Sequence, residues 1–454
     1  MTEHFYITSR LAKVKQSEQE AADIRAFVER LQGDQQAQDA FFQYCKQWKM
    51  GPWAHVQLVR CGLIRHFTEK TQQDFSSIHA LAKAENESRN AEAAKFLAEF
   101  QREGIEVAIL KGNSFIHTIY GDTGYKKMND FDILVHPADW DRIQDIYLRL
   151  GFLPLGFGWA GEKEKPAKFS HIGMSFISPN FKCIVGTQWG LKSPTTTYRV
   201  DIGEAWRTAR PLDFYGIPVK QLSPAFNLLH LVLHMGIYKC GIRDCMDVSN
   251  LLLTETVDED EVVELFKKSN ATEKAYFTLM LTQLCSGAVS QSLLDRLKPA
   301  KPCYHTRRLD ARLRAAKLTG DIQVSYNDYF QDIEKDVIYF NIFPEFHKKA
   351  VFYYRIHRAV FLPKQAPALK LSDKSHRPSL LDHVQARAKA PRLVLSLVAQ
   401  EIGWQFTVLL LVKLSFDLVG STKNYFLKKE SYFDYLRKRG VAPEAIERVV
   451  KGIQ

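Results

Sequence analysis

Hydrophobic and polar residues follow a helical spacing along the first part of the chain. Apolar positions recur every three or four residues in QSEQEAADIRAFVERLQG and NESRNAEAAKFLAEFQREG, which places them on one face of a helix. Gly33 and Gly104 stand where these helices would end, as glycine commonly does. The pattern predicts a helical N-terminal region over residues 1–104.

From Ile105 onward, short apolar runs alternate with helical segments. The runs IEVAIL, FDILVH and FKCIVGTQWGL are predicted strands, and SFIHTIYG and PADWDRIQDIYLRLGF are predicted helices. This alternation predicts a core that contains a sheet at residues 105–220. A helical region packed on the core is expected at 221–300, and a basic, mostly helical C-terminal region at 301–454.

The net charge of +11 favours a partner that carries phosphate or many negative charges. A nucleotide, RNA and an anionic lipid surface are all compatible with it. Basic residues concentrate at 348–392, where aromatic residues lie among them, so this stretch is a candidate surface for an anionic partner. Solvated helix faces above core aromatics would give the same pattern.

Cysteine usage and the N-terminal sequence predict a reduced, cytoplasmic protein. The seven cysteines are scattered, and the first residues lack the basic-then-apolar pattern of a signal peptide. Segment 392–420 is apolar and long enough to span a bilayer, but Glu401, Lys413 and Asp417 interrupt it. Because a charge at the membrane centre costs roughly 2.5–3.5 kcal/mol, we expect a buried or interfacial helix and no transmembrane segment.

Two aspartates in KKMNDFDILVHPADW are candidate metal ligands. Asp130 and Asp132 are two residues apart at the start of a predicted strand, so their side chains project from the same face. Carboxylate oxygens in this arrangement suit Mg²⁺. A solvated strand end would contain the same residues.

The segment AILKGNS is a candidate phosphate site. Gly112 lies between a predicted strand and a predicted helix, where glycine lets another group approach the backbone and free amides can hold phosphate oxygens. Ser114 can add a hydroxyl group and Lys111 a positive charge. An ordinary strand-to-helix turn remains the alternative.

The stretch LKGNSFIHTIYGDTGYKKMNDFDILVHPADWDRIQDIYLRLGF resembles the core of the uncharacterised nucleotidyltransferase family, which has a polymerase-β-type fold. The resemblance covers roughly residues 40–260 and implies an α+β fold with a small mixed-sheet core flanked by N-terminal and C-terminal helical regions. It implies Mg²⁺-dependent transfer of NMP from an NTP, with ATP expected first, to an acceptor that could be a small molecule, a peptide or sugar natural product, a protein or RNA. It also implies that Asp130 and Asp132 hold Mg²⁺ and that Lys111, Gly112 and Ser114 lie near the triphosphate.

The sequence departs from the family pattern at two places. Lys126 and Lys127 stand where the family usually has an arginine, and they are candidate nucleotide-binding residues. The third acidic ligand is expected on the next strand, but IVGTQWGL places Gly186 there. Asp201 is the candidate replacement, although its spacing to Glu204 is also that of a helix cap.

These departures leave other functions open. The protein could use two carboxylates or recruit a third from elsewhere in the chain. It could also be a pseudo-enzyme that binds a nucleotide or a partner on the same fold. A basic protein that binds RNA or a membrane surface is a further alternative. Asp244 and Asp247 near IRDCMD are interpreted as helix-start residues that make polar contacts.

Overall fold

The computed structural model describes residues 3–154, 171–192, 198–235 and 242–300, together with Ala442 and Glu444. The basic stretch 348–392 and the apolar segment 392–420 lie outside the described residues. The chain divides into two compact units. The first comprises Met1–Phe152, Ile177–Lys192 and Arg199–Gln323. The described part of the second includes the strand Leu153–Pro154.

The described residues contain thirteen helices and seven strands, which makes the fold α+β as predicted. The helices are α1 (Glu3–Leu11), α2 (Glu18–Leu31), α3 (Gln35–Gln47), α4 (Gly51–Arg60), α5 (Glu69–Arg102), α6 (Gly112–Phe115), α7 (Trp140–Arg149), α8 (Ile202–Arg207), α9 (Pro224–His234), α10 (Ile242–Thr254), α11 (Glu259–Lys268), α12 (Thr272–Ser286) and α13 (Gln291–Leu297). The strands are β1 (Val107–Ile109), β2 (Phe131–Val135), β3 (Leu153–Pro154), β4 (Phe176–Ile177), β5 (Ile184–Gln188), β6 (Arg210–Phe214) and β7 (Ile217–Gln221).

Five of the strands belong wholly to the first unit and form a mixed sheet in the order β5–β2–β1–β7–β6. β2 is antiparallel to β1 and parallel to β5, while β1 is parallel to β7. The start of β2 therefore lies beside the end of β1, and Asp132 lies directly opposite Gly186 of β5. This register brings the predicted metal and phosphate segments to the same edge of the sheet.

Helix α5 connects the helical N-terminal region to the sheet. It is 34 residues long and begins at the N-cap Thr68, whose side chain accepts a hydrogen bond from the Thr71 amide. Near its start, Phe75 packs against Phe42 in the core formed by the N-terminal helices. Near its end, Phe96 packs against Phe131 of β2. One helix thus contacts two hydrophobic cores, and its middle turns face the loop before Asp130.

The hairpin formed by β6 and β7 differs from the prediction, which gave no strand between residues 191 and 220. Most of its residues are exposed or half-buried, so it lacks the continuous apolar run that marks a buried strand. Two prolines also interrupt it, and proline is tolerated mainly in edge strands. Its turn places Tyr215 and Gly216 at positive φ. Across the described residues, no helix has both the length and the apolar character needed to cross a bilayer.

Candidate active site

Asp132 lies on β2 with its side chain almost completely buried. Both of its carboxylate oxygens have a hydrogen-bond donor. The Lys111 ammonium is 2.7 Å from Oδ2, and the Gln188 amide nitrogen is 3.2 Å from Oδ1. The end of β1 and the end of β5 therefore both direct a polar side chain at this carboxylate. Lys111 supplies the charge that makes its burial tolerable.

Asp130 precedes β2 and keeps solvent-exposed surface. The protein that surrounds its carboxyl group raises the pKa of Asp130, and the negative charge of Asp132 raises this pKa further. Lys111 and Arg89 act in the opposite direction on the same pKa. The two carboxylates repel each other at a solvent-accessible strand start, and this repulsion favours the binding of a cation.

The turn Lys111–Ser114 has an unusual backbone, and Lys111, Asn113 and Ser114 each donate a side-chain hydrogen bond within the site. Lys111 has φ 55° and ψ −139°, a conformation that residues with a Cβ rarely adopt. The Ser114 hydroxyl donates to the Lys111 carbonyl oxygen at 2.9 Å, so it serves the turn itself in this conformation. Asn113 donates to the Asp130 carbonyl oxygen at 3.0 Å, and this bond joins the turn to the aspartate pair. The other amide atom of Asn113, Oδ1, is buried without a hydrogen-bond partner.

Gly112 allows close packing between this turn and the loop before Asp130. A Cβ at Gly112 would lie 2.7 Å from Met128 Cε and 2.8 Å from Met128 Sδ. Any larger residue would push Met128 away. The end of the flexible Met128 side chain therefore covers the Cα face of the turn, and a larger residue at Gly112 is accommodated if that side chain moves.

The two lysines of the loop have separate partners. Lys126 is buried and forms an ion pair with Asp247 of α10, which also accepts a 2.6 Å hydrogen bond from the Tyr120 hydroxyl. Burial lowers the pKa of Lys126, and Asp247 acts against that shift. Lys127 is exposed and lies 2.8 Å from Glu85. Of the three candidate lysines, Lys111 is the one whose ammonium contacts the aspartate pair.

The family assignment comes from comparison with known proteins. A family model described as uncharacterised nucleotidyltransferase matches residues 34–287, more than half of the chain. The chain belongs to the uncharacterised nucleotidyltransferase family. Searches of curated proteins and of solved structures found no match. The matched range includes α3 to α12 and the whole of the sheet edge described above.

This chain differs from the expected family pattern most clearly at the position of the third acidic residue. Gly186 pairs with Asp132 across β2 and β5, so an acidic side chain there would project beside Asp132. Gln188, two residues further along the same face, donates to Asp132 instead. Its Oε1 is buried without a partner. The structure thus places the amide of Gln188 beside Asp132, while Gly186 leaves the position of the expected third acidic ligand without a side chain.

Asp201 is the N-cap of α8. Its Oδ1 accepts a hydrogen bond from the Glu204 amide at 2.9 Å. In the described ranges, which include Asp130, Asp132 and Asp201, no three His, Cys, Asp or Glu side chains form a group that could hold a metal ion. The helix-cap interpretation therefore accounts for the position of Asp201 in this structure.

Residues of α5 support the loop before Asp130, and sequence reasoning did not identify them. Asn86 donates to the Thr123 and Lys126 carbonyl oxygens at 2.6 and 2.7 Å, and its Oδ1 accepts from the Met128 amide at 3.0 Å. His79 lies 3.1 Å from Asp122 in the same loop. A polar residue within a long helix carries no sequence signal for such a role. The signal is in the structure, where Asn86 is buried and makes three bonds to one loop.

Proposed function

We propose that the protein is a Mg²⁺-dependent nucleotidyltransferase that moves an NMP from an NTP, with ATP as the first candidate, to an acceptor hydroxyl or amine. The observation that carries this proposal is the placement of Asp130, Asp132 and Lys111 at one sheet edge, joined by the Asn113 bond. The family to which the chain belongs supports the class of reaction. The acceptor is a small molecule, a peptide or sugar natural product, a protein or RNA.

Asp130 and Asp132 would hold Mg²⁺, because their donor atoms are hard oxygens that suit this ion. Bound there, Mg²⁺ would neutralise phosphate charge and orient the reacting groups. Lys111 would compete with this cation for Asp132, because its ammonium donates to Oδ2 of the same carboxylate in the structure, and the cation would weaken that contact. The Lys111 ammonium then becomes available as a point charge for phosphate oxygens. Lys111 thus alternates between an internal partner and the substrate.

A nucleotide-binding pseudo-enzyme is the second candidate, and Gly186 favours it. The position beside Asp132 has no side chain, and the Lys111 ammonium already neutralises Asp132. Such a protein would bind the nucleotide on the same sheet edge without transferring it.

One experiment separates the two candidates. Pyrophosphate release is measured from a panel of NTPs with Mg²⁺, using small-molecule, protein and RNA acceptor mixtures, and nucleotide binding is measured by calorimetry. Asp132→Asn is compared with Asp39→Asn, a control that removes a carboxylate from an exposed ion pair with Lys70. Release that Asp132→Asn abolishes and Asp39→Asn preserves supports the transferase. Binding without release supports the pseudo-enzyme, and absence of both refutes the two candidates.

A further inference from the structure

Arg89 is a buried cation of α5 with few partners. The residue is 6% exposed. Its guanidinium makes one hydrogen bond to the described part of the chain, from Nη1 to Asn86 Oδ1 at 2.8 Å. Nε is buried without a hydrogen-bond partner. The described residues place no carboxylate within ion-pair distance of it, and the neighbouring acid Glu85 is paired with Lys127.

The surroundings of Arg89 place it at the candidate active site. Asn86 Oδ1 accepts from both Arg89 and the Met128 amide, so one oxygen connects the guanidinium to the loop two residues before Asp130. Burial lowers the pKa of Arg89 and raises the pKa of Asp130, and the charge of each residue acts against the shift of the other. Cys183, just before β5, is close enough to act on the same guanidinium. Arg89 therefore lies where the starts of β2 and β5 approach α5.

A buried cation without an ion-pair partner is costly, because it has lost water while the acids that act on it, Asp130 and Glu85, lie beyond ion-pair distance. Lys126 is equally buried but has Asp247, and Lys111 has Asp132. Of these three basic residues, Arg89 is the one whose charge has no ion-pair partner in the described ranges. A guanidinium presents a planar fork of donors that matches a phosphate group. A phosphate anion bound between Arg89 and the start of β2 would accept hydrogen bonds from the N–H groups of the guanidinium.

We propose that Arg89 binds a phosphate group of the nucleotide substrate. This inference rests on the proposed function and adds a binding residue to it, contributed by the helical N-terminal region. Lys111 and Arg89 then contact the phosphate chain from two elements, one at the end of β1 and one on α5. Asn86 is a positioning residue, because it orients the guanidinium and the loop through the same oxygen.

The test measures binding of inorganic tripolyphosphate by calorimetry in the presence of EDTA, so that divalent cations do not contribute. Arg89→Met removes the charge, Arg89→Gln keeps a donor for Asn86, and Arg89→Lys keeps the charge. Arg102→Met is the matched control, since Arg102 lies on the same helix but is exposed and paired with Glu99. We expect binding about 10- to 100-fold weaker in the two neutral variants, intermediate in the lysine variant and unchanged in the control.

A purely structural role gives a different result. In that case Arg89→Met lowers the melting temperature but still shows the upward shift that tripolyphosphate causes in the unaltered chain. The inference requires that this shift be lost. Hydrogen exchange of the unaltered chain provides a measurement that does not depend on the folding of any variant. Tripolyphosphate must slow exchange at residues 83–92 and 123–130, and unchanged exchange there overturns the inference.

The outcomes separate this inference from the proposed function. If Asp132→Asn abolishes pyrophosphate release while Arg89→Met binds tripolyphosphate as well as Arg102→Met does, the transferase stands and the role of Arg89 is refuted. If no NTP is turned over but Arg89→Met loses tripolyphosphate binding, the phosphate site stands and nucleotidyl transfer is refuted.

Discussion

The buried ion pair between Lys126 and Asp247 predicts a large and non-additive effect on stability. Both side chains are 7% exposed, and the pair connects the loop before Asp130 to α10. Asp247→Asn removes the charge but keeps an acceptor for the Tyr120 hydroxyl. Because it leaves Lys126 buried without a counter-ion, we expect a loss of about 3–5 kcal/mol in the free energy of unfolding. Lys126→Met leaves the Asp247 carboxylate buried and is expected to cost a similar amount.

The double variant Lys126→Met/Asp247→Asn buries neither charge and is expected to lie within about 1 kcal/mol of the unaltered protein. Urea unfolding followed by tryptophan fluorescence provides the assay, since Trp53 lies 5.3 Å from the Tyr120 ring. The matched control is Lys127→Met, whose ion pair with Glu85 is exposed and is worth less than about 1 kcal/mol. Single effects that add in the double variant would show that the two charges do not compensate each other, and the reasoning would be wrong.

Three further predictions concern the site and its surroundings. Lys111→Met removes the ammonium that competes with a metal ion for Asp132. Calorimetry should therefore show about tenfold tighter binding of Mn²⁺ and weaker binding of ATP. Unchanged Mn²⁺ affinity would contradict the role of this ion pair. Gly186→Asp adds a carboxylate beside Asp132, and the two negative charges repel each other. The melting temperature should therefore fall in EDTA and recover with Mg²⁺. A fall that Mg²⁺ does not reverse would argue against cation binding there. Burial lowers the pKa of His55 to about 4, against about 6.5 in the unfolded chain. Between these two pH values the unfolded state binds more protons than the folded state. The contribution of His55 to stability therefore falls as the pH drops from about 6.5 to about 4. His55→Gln should flatten the melting temperature over that range, and an equal slope in both proteins would exclude His55 as its cause.

Local pattern was sufficient to predict the central strands and the helix between them. FDILVH and PADWDRIQDIYLRLGF contain their own signals, an apolar run and a helical period closed by glycine, and β2 and α7 fall within them. The β6–β7 hairpin was missed because its residues are mostly solvated and its prolines oppose a strand assignment. Its strand character comes from pairing between β6 and β7 and with β1.

Residue chemistry and close spacing in the sequence were sufficient to nominate part of the candidate site. Asp130, Asp132 and Lys111 were identified from short motifs, and Lys111 does contact Asp132. The contact of Gln188 with Asp132 depends on the register between two strands, which no local motif specifies. Arg89 is more than 40 residues before Asp130 in a helix whose sequence looks solvated. Only tertiary packing shows that this turn of α5 is buried.

The backbone of Lys111 has a consequence for how readily the site can open. A residue with a Cβ in such a sparsely populated conformation stores about 1–3 kcal/mol of strain. In the structure, the ion pair with Asp132 and the bonds of the turn offset this strain. The Ser114 amide, the Phe115 amide and the Ser114 hydroxyl all donate to the Lys111 carbonyl oxygen, so they hold this backbone conformation independently of the ammonium. The ammonium can therefore exchange Asp132 for another anionic partner while the turn that carries it keeps its conformation.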